Sequence, residues 1–373
     1  MNKLYFFVNW EKNKPQTWSG TCWGLYNSLK KYFEIAEIDL GSNYSILEKI
    51  LYKLGIKKRD MDYSSILNHR KYYIPQLLKE QKSPILVFQF KEYIPAIKNI
   101  KSFIFQDLTV SYVEYMSKNL PTTFKVSGFN IFDQQTIKKK LALEEEYQRN
   151  CTAIFCMGEW LRQDCINRLG LDSNQVYAVG GGININVNNI NNDIKKECNK
   201  VLFIGRDFKR KGGFLVYEAF CKLKKEKPDA ELYVAGPKIN PISHPINGYY
   251  FLGDCNHETL SSYFNLCDIF CMPSYFEAYG LVFIEALTYG LPCIGRNCYE
   301  MPYFIQDGET GYLIDQDDPE KLASMMFHLL SDDRIKNNVL SKRAWYLKNY
   351  TWEAVAKRIN DIIKTYNDTN LLS

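Results

Sequence analysis

The sequence predicts an α/β protein of two doubly wound parallel-sheet domains facing each other across a cleft. Three observations carry this prediction. Short apolar runs alternate with helical stretches through the first half of the chain, and a second series of the same kind fills the other half. Between them GGGININVNNINND, at 180–193, is rich in Gly and Asn and has no period, the mark of a linker. The 373 residues suffice for two domains of ordinary size.

The first series places strands at LYFFVNW (4–10), EIAEIDL (34–40), ILVFQF (85–90), SFIFQD (102–107), AIFCMG (153–158) and VYAVGG (176–181). The second places them at VLFIG (201–205), ELYVAG (231–236), YYFLG (249–253), DIFCMPS (268–274), PCIG (292–295) and GYLI (311–314). Strands of a parallel sheet covered on both faces read as such near-continuous apolar runs. Ligands of these sheets bind beyond the carboxyl ends of the strands.

Composition narrows the function. A hydrophobic fraction of 46% and a charged fraction of 24% fit a soluble globular protein. No apolar run approaches the roughly 18–20 residues of a membrane span. The short apolar run at the N-terminus lacks a signal-peptide cleavage pattern and reads as the first strand. Eleven scattered cysteines make no CxxC pair, which predicts reduced thiols in a cytoplasm. Four histidines, His69, His244, His257 and His328, argue against a His-rich metal site. The net charge is +5, divided as +7 through residue 190 and −2 beyond it. The basic half includes KKRD (57–60), HRK (69–71) and KKK (138–140), either solvated helix faces or a surface for anionic lipid or an anionic acceptor. No recognition motif accompanies the charge, so nucleic acid is not an expected partner. Asp60-Met61-Asp62 imitates a metal-binding Asp-X-Asp but lies among basic helical residues. No metal and no cofactor are expected.

The chemistry concentrates in EAYGLVFIE, from Glu277 to Glu285. Gly280 ends a turn after a strand and opens a helix that closes at Gly290 and Pro292. Backbone N–H groups near Gly280 and Leu281 make a phosphate site. Glu285, in the second turn of the helix, suits a vicinal diol such as a ribose, and Glu277 suits whatever lies beyond the phosphates. GRDFKRKGG (205–213) adds Arg206, Lys209, Arg210 and Lys211 beside glycines, a setting for a diphosphate. It lacks the Walker spacing and the terminal Ser or Thr, which disfavours a P-loop. Of its cations, Lys209 and Arg210 read as solvated loop charges. Ser19-Gly20-Thr21, after the first strand, offers a second close approach of backbone to phosphate. Trp10, Trp18 and Trp23 read first as core packing and second as a platform for an acceptor sugar.

These residues resemble the retaining glycosyltransferases of family 4, which have the GT-B fold of two Rossmann-like domains. Glu277 and Glu285 match the family's pattern of Glu, seven residues, Glu. Gly205-Arg206 and Lys211-Gly212 match its Gly-Arg then Lys-Gly signature. VAGP (234–237), FLG (251–253), Pro273-Ser274, EALTYGLP (285–292), DGETGYLI (307–314) and YTWE (350–353) follow in order. WSGT (18–21), QDLT (106–109) and the segment 151–184 resemble a bacterial subgroup with a Trp-Ser-Gly-Thr loop.

The resemblance implies an acceptor-binding domain over 1–190 and a nucleotide-sugar-binding domain over 191–345. It also implies a C-terminal helix at 346–373 crossing back to the first domain. Arg206 and Lys211 would bind the diphosphate and steady the leaving group, and Glu285 would hold the ribose. Glu277 would contact the donor sugar. Gly205 and the backbone from Tyr279 through Gly280 to Leu281 would cradle phosphate, with Gly20 beneath it from the first domain. Many family members carry a His in the N-domain loop facing the sugar. Here Asp107 takes that position, and its alternative reading is the cap of a helix starting near Val110. Tyr299-Glu300-Met301-Pro302-Tyr303 stands where the family often has Gly-Gly-X-Pro-Glu.

The expected function is retaining transfer of a hexosyl unit from a nucleotide-diphosphate sugar to a saccharide or lipid-linked hydroxyl acceptor, without metal. Cell-surface polysaccharide or lipopolysaccharide synthesis is the implied setting. The expected location is cytoplasmic, extending to the inner face of the plasma membrane through an anionic surface. A nucleotide-sugar epimerase of the same fold and a degenerate partner of an active transferase are the alternatives.

Overall fold

A computed structural model describes residues 2–40, 75–77, 79, 86–90, 100–191 and 199–368. The basic runs 57–60 and 69–71, with His69 and Asp60-Met61-Asp62, lie outside the described residues. Packing divides the chain into two units. One comprises Met1–Pro121, Phe129–Gly182 and Trp352–Ser373, and the other Thr122–Gly128 and Ile183–Thr351.

The first unit is built on a six-stranded sheet in the order β2-β1-β3-β4-β5-β6. Its strands are β1 (Asn2–Val8), β2 (Phe33–Asp39), β3 (Leu86–Phe90), β4 (Lys101–Gln106), β5 (Ala153–Cys156) and β6 (Val176–Ala178). All neighbours are parallel. The register sets Phe6 beside Phe88 and Phe88 beside Phe103, and Phe105 beside Phe155, so that one face carries a field of buried phenyl rings. Phe6 and Phe88 stack with ring centres 5.6 Å apart, as do Phe103 and Phe155. The other face buries Tyr5, Phe7, Val87 and Ile100 with Leu40 and Leu77. Burial on both faces is why the inner strands read as continuous apolar runs, whereas the edge strand β2 carries Glu34, Glu37 and Asp39. Each fully buried phenyl contributes about 1.5–3 kcal/mol.

The helix Trp352–Asp368 belongs to this unit and packs on the helix Thr21–Leu29. The Trp352 indole lies flat against backbone. A Cβ on Gly24 would come within 2.3 Å of the ring and one on Gly182 within 2.6 Å. Arg358 Nε donates to the carbonyl of Val179 at 2.7 Å, fixing the next turns of the helix.

The second unit has a six-stranded parallel sheet in the order β12-β11-β10-β7-β8-β9. The strands are β7 (Lys200–Ile204), β8 (Glu231–Ala235), β9 (Tyr249–Gly253), β10 (Ile269–Cys271), β11 (Cys293–Arg296) and β12 (Gly311–Ile314). Counted along the unit this is the order third, second, first, fourth, fifth, sixth. The direction of winding therefore reverses between β7 and β10, the kind of position at which such sheets bind ligands. Side-chain caps start several helices. Asn256 accepts from the Thr259 N–H, and Asp318 from the Lys321 N–H, contacts worth about 1 kcal/mol each.

Every strand expected from the sequence is present, usually ending earlier than its apolar run. DIFCMPS was expected to be extended over 268–274, but the strand is Ile269–Cys271, although Met272 and Ser274 stay fully buried. Hydropathy reports burial, and here burial continues past the end of the ladder.

Candidate active site

The two loops at the winding reversal of the second unit bring its predicted residues together. After β7 the chain turns through Gly205 and Arg206 and reaches Lys211 before the helix Gly213–Glu226. The Lys211 stem passes over Gly205, where a Cβ would stand 2.7 Å from Lys211 Cγ. Gly212 has φ +77°, and its own Cβ would meet the Pro273 carbonyl at 2.6 Å. The loop after β7 is thus docked, backbone to backbone, on the loop after β10. At that junction the Lys211 ammonium pairs with the Glu277 carboxylate, and the two side chains are only 13% and 14% exposed.

Glu277 is held from three directions. Arg210 Nη1 donates to the Phe276 carbonyl at 2.7 Å and lies 3.8 Å from the Glu277 carboxylate. Ser274, fully buried, donates from Oγ to the Phe276 carbonyl at 2.9 Å. Arg296 donates to the Pro273 carbonyl at 3.3 Å, pairs with Asp317 at 2.6 Å, and covers the Tyr275 ring at 4.4 Å. A Cβ on Gly280 would stand 3.0 Å from Glu277 Cγ, so that glycine leaves room for the acid's stem. Arg210 corrects the sequence reading. Lys209 is an exposed loop charge as expected, but Arg210 is a half-buried clamp on the loop that carries Glu277. Its partner is a backbone carbonyl 66 residues away, which leaves no trace in the local sequence.

The electrostatics are those of two largely buried cations, Lys211 and Arg210, with Glu277 and, 3.5 Å from Arg210, the more exposed Asp207. Burial, and then the neighbouring Arg210 guanidinium, push the Lys211 pKa well down. Burial also lowers that of Arg210. The site therefore gains from an arriving anion that favours the charged forms of both.

Gly280, at φ 94°, is the left-handed residue from which the helix Leu281–Thr288 starts. Tyr279 is buried, its ring edge-on to Phe304 at 5.1 Å. Glu285 lies in the second turn and is buried; Oε1 accepts from the Asn184 N–H at 3.0 Å, and the Ile185 backbone adds a second bond. Burial pushes the Glu285 pKa up against those bonds. One turn further on, Tyr289 donates from its hydroxyl to the Asn186 carbonyl at 3.0 Å. Arg206 stands apart. Its side chain is 79% exposed, and Asp254 is 3.5 Å away.

Gly20 and Asp107 belong to the first unit. Gly20 has φ 89° and follows Trp18 and Ser19 at φ 48° and 55°, three successive left-handed residues before the helix Thr21–Leu29. Each of the two non-glycine positions costs of order 1 kcal/mol. The Trp18 ring, edge-on to Phe90 at 5.9 Å and Phe105 at 6.1 Å, keeps them there. This loop follows β1, where the first sheet reverses its winding between β1 and β3. Trp10 is buried, donates from Nε1 to Glu37 at 2.9 Å and meets Trp23 at 6.1 Å, a packing arrangement.

Asp107 follows β4 but does not cap the next helix. Thr109 Oγ1 caps Val110–Asn119, accepting from the Tyr112 N–H at 3.0 Å. The buried Glu144 carboxylate takes the N–H groups of Val110 and Ser111, both at 2.7 Å. That helix start is already filled by a protein carboxylate. Lys138, Lys139 and Lys140 lie on the helix Gln134–Asn150, the first two exposed.

Among the described residues no group of three or more His, Cys, Asp or Glu could hold a metal ion. No helix among them is long and apolar enough to cross a membrane. Their ten cysteines are free thiols.

Residues 185–345 match the family model described as glycosyl transferases group 1. A D-inositol 3-phosphate glycosyltransferase of Corynebacterium kroppenstedtii is 29% identical over 177 residues, 43% of this chain and 39% of that protein. The chain spans less than half the length of the first such curated relatives it matches. Among solved structures, WaaG, a glycosyltransferase involved in lipopolysaccharide biosynthesis, superposes with a TM-score of 0.65 at 15% identity, covering 96% of this chain and 99% of that one. Anabaena HepE in complex with UDP-glucose gives 0.65 at 12% identity, covering 98% and 100%. The fold is GT-B, two Rossmann-like units each with a parallel six-stranded sheet.

Proposed function

We propose, for a chain whose residues 185–345 match the glycosyl transferases group 1, that it transfers a hexosyl unit from a nucleotide-diphosphate sugar to a saccharide or lipid-linked hydroxyl, with retention. The observation that carries this reading is the Lys211–Glu277 pair at the winding reversal of the second sheet, between a glycine-bordered cationic loop and the Gly280 helix start. The HepE structure, of like fold, holds UDP-glucose. That protein's donor supports the donor class proposed here, and WaaG's part in lipopolysaccharide biosynthesis supports a cell-surface glycan as product.

In this reading the bond from the anomeric carbon to the diphosphate breaks as negative charge grows on the departing oxygens. Lys211, Arg206 and the backbone N–H groups at Gly280 and Leu281 stabilise that charge. A diphosphate beside Lys211 favours its protonated form, reversing the effect of burial. Glu277, neutralised by Lys211, accepts hydrogen bonds from the sugar hydroxyls. Glu285 accepts from the ribose diol. Gly205 makes room for the lysine, and Gly20 admits phosphate close to the first unit's backbone. Asp107 steadies the sugar. The acceptor oxygen bonds to the anomeric carbon on the face the diphosphate leaves, and its proton passes to a departing phosphate oxygen. The two cations take the charge, so metal is not required.

The test is turnover of α-linked UDP-, GDP-, dTDP- or ADP-sugars in EDTA, with the product's anomeric coupling constant read by NMR. An α-linked product formed in EDTA is expected. A β-linked product would overturn retention. Activity abolished by EDTA and restored by magnesium would overturn the metal-free step.

A further inference from the structure

The Glu285 carboxylate faces two ways. Apart from the short excursion Thr122–Gly128, the chain passes between the two packing units at Gly182–Ile183 and again at Thr351–Trp352. The second-unit residues beside these crossovers are bonded to one another, since the Ile183 N–H donates to the Tyr350 carbonyl at 2.9 Å. The stretch that follows Ile183, read from sequence as a plain linker, is bolted to the second unit. Asn184 N–H donates to Glu285 Oε1 at 3.0 Å, Tyr289 donates to the Asn186 carbonyl at 3.0 Å, and Asn265 takes the Asn191 N–H at 3.0 Å while donating to the Asn189 carbonyl at 2.7 Å. Ile183 and Ile185 are buried. Of these anchors, only Glu285 is also a candidate ligand contact.

The geometry points to Glu285 as a positioning residue that couples nucleoside occupancy to the crossover backbone. This rests on the proposed function, in which the same carboxylate accepts the ribose hydroxyls. A carboxylate offers about four lone-pair sites. Two serve Asn184 and Ile185, leaving room for a diol. Hydroxyls donated by a ribose favour the ionised carboxylate, which burial alone disfavours. An ionised acceptor makes the stronger bond to each N–H. A ligand that contacts Glu285 thereby tightens the Asn184 and Ile185 bonds, and through Ile183 it reaches Tyr350 beside the second crossover. By linkage, loosening the crossover must weaken the nucleoside in equal measure. A ligand held only at the cationic loop has no such effect.

Amide hydrogen exchange on the full chain tests this, with pyrophosphate as the ligand that lacks a ribose. UDP, GDP and ADP are first screened by calorimetry, and the one that binds is used. It should slow exchange at Asn184 and Ile185 about tenfold or more, whereas saturating pyrophosphate should leave it unchanged. In a second arm, Asn184→Pro, which removes one N–H, should weaken the nucleoside diphosphate and not pyrophosphate. If the nucleotide binds and exchange at 184–185 equals that with pyrophosphate, the coupling is refuted while the proposed function stands. If no nucleoside diphosphate binds, the proposed function falls and the coupling with it. The exchange arm decides the matter even if the proline variant does not fold.

Discussion

Lys211→Met should cost more stability than Glu277→Gln, and both together should cost less than their sum. The two side chains are about one-seventh exposed, at 13% and 14%. Breaking a buried ion pair by removing one partner costs about 3–5 kcal/mol. Here Arg210, 3.8 Å from the carboxylate, remains after Lys211 is gone. That residual attraction and the partial exposure bring the cost of Lys211→Met to about 2–3 kcal/mol. Glu277→Gln leaves a lysine whose pKa burial already pushes well down, which lowers the cost of giving up its charge, so the loss falls to about 1 kcal/mol. The double variant leaves no stranded charge and should lose about 1–2 kcal/mol, a coupling of roughly 2 kcal/mol. Urea denaturation midpoints at constant slope measure all four corners of the cycle. The Glu277→Gln protein should also gain stability as pH rises towards about 10, because the folded lysine, its pKa pushed down by burial, holds its proton less tightly than the unfolded one. Additivity within about 0.5 kcal/mol, or an equal cost for the two single variants, would refute the buried pair.

Glu285→Gln should move binding and stability in opposite directions. Burial raises the folded pKa of Glu285, so its contribution to stability is fully present below the unfolded value of about 4.3 and is lost as pH rises through the folded value. The variant should therefore be the more stable protein at pH 7, with the difference fading in acid, while nucleotide affinity drops by about 1–3 kcal/mol. The charge on His257 opposes that rise, and His257→Gln should shift the acid limb of nucleotide binding upward in pH. Unchanged affinity in calorimetry for Glu285→Gln would remove the ribose role. Arg206→Ala, at a side chain 79% exposed, should leave the denaturation midpoint within about 0.5 kcal/mol yet lower kcat more than it raises KM. A change in KM alone would sink its leaving-group role.

The central strands were legible because burial on both sheet faces writes an apolar run for each of them, while the edge strands β2 and β9 are only partly buried. Gly280 and the helix after it were legible for a local reason, since a strand, a glycine and an apolar helix follow one another between Ile269 and Thr288. The carboxyl ends of strands were harder. Met272 and Ser274 are as buried as the strand before them, so composition does not change where the ladder stops. What escaped the sequence is what depends on a backbone partner far along the chain. Arg210 finds the Phe276 carbonyl, Glu285 the Asn184 N–H, and Glu144 the first N–H groups of a helix 34 residues earlier. Backbone groups are the same at every residue, so no side-chain pattern marks the recipient. The one available signal was indirect and served Glu285 alone: it is a carboxylate among apolar neighbours, and a buried carboxylate requires donors from somewhere, whereas Glu144 opens a run of three glutamates.

The Trp352 indole seated against Gly24 and Gly182 has a consequence for the order in which the chain matures. The second unit is almost one uninterrupted piece, Ile183–Thr351, whereas the first needs residues from both sides of it. On a ribosome, a domain encoded first ordinarily folds first. Here the earlier unit waits with its Trp352 seat empty while about 170 further residues are added, a closure whose entropic cost grows only with the logarithm of that length. The vacant seat exposes backbone and the flank of the helix Thr21–Leu29 to the solvent for as long as translation of the intervening unit takes. The unit that begins the chain is thus the last to be completed, and its interval of exposure is set by the length of its neighbour.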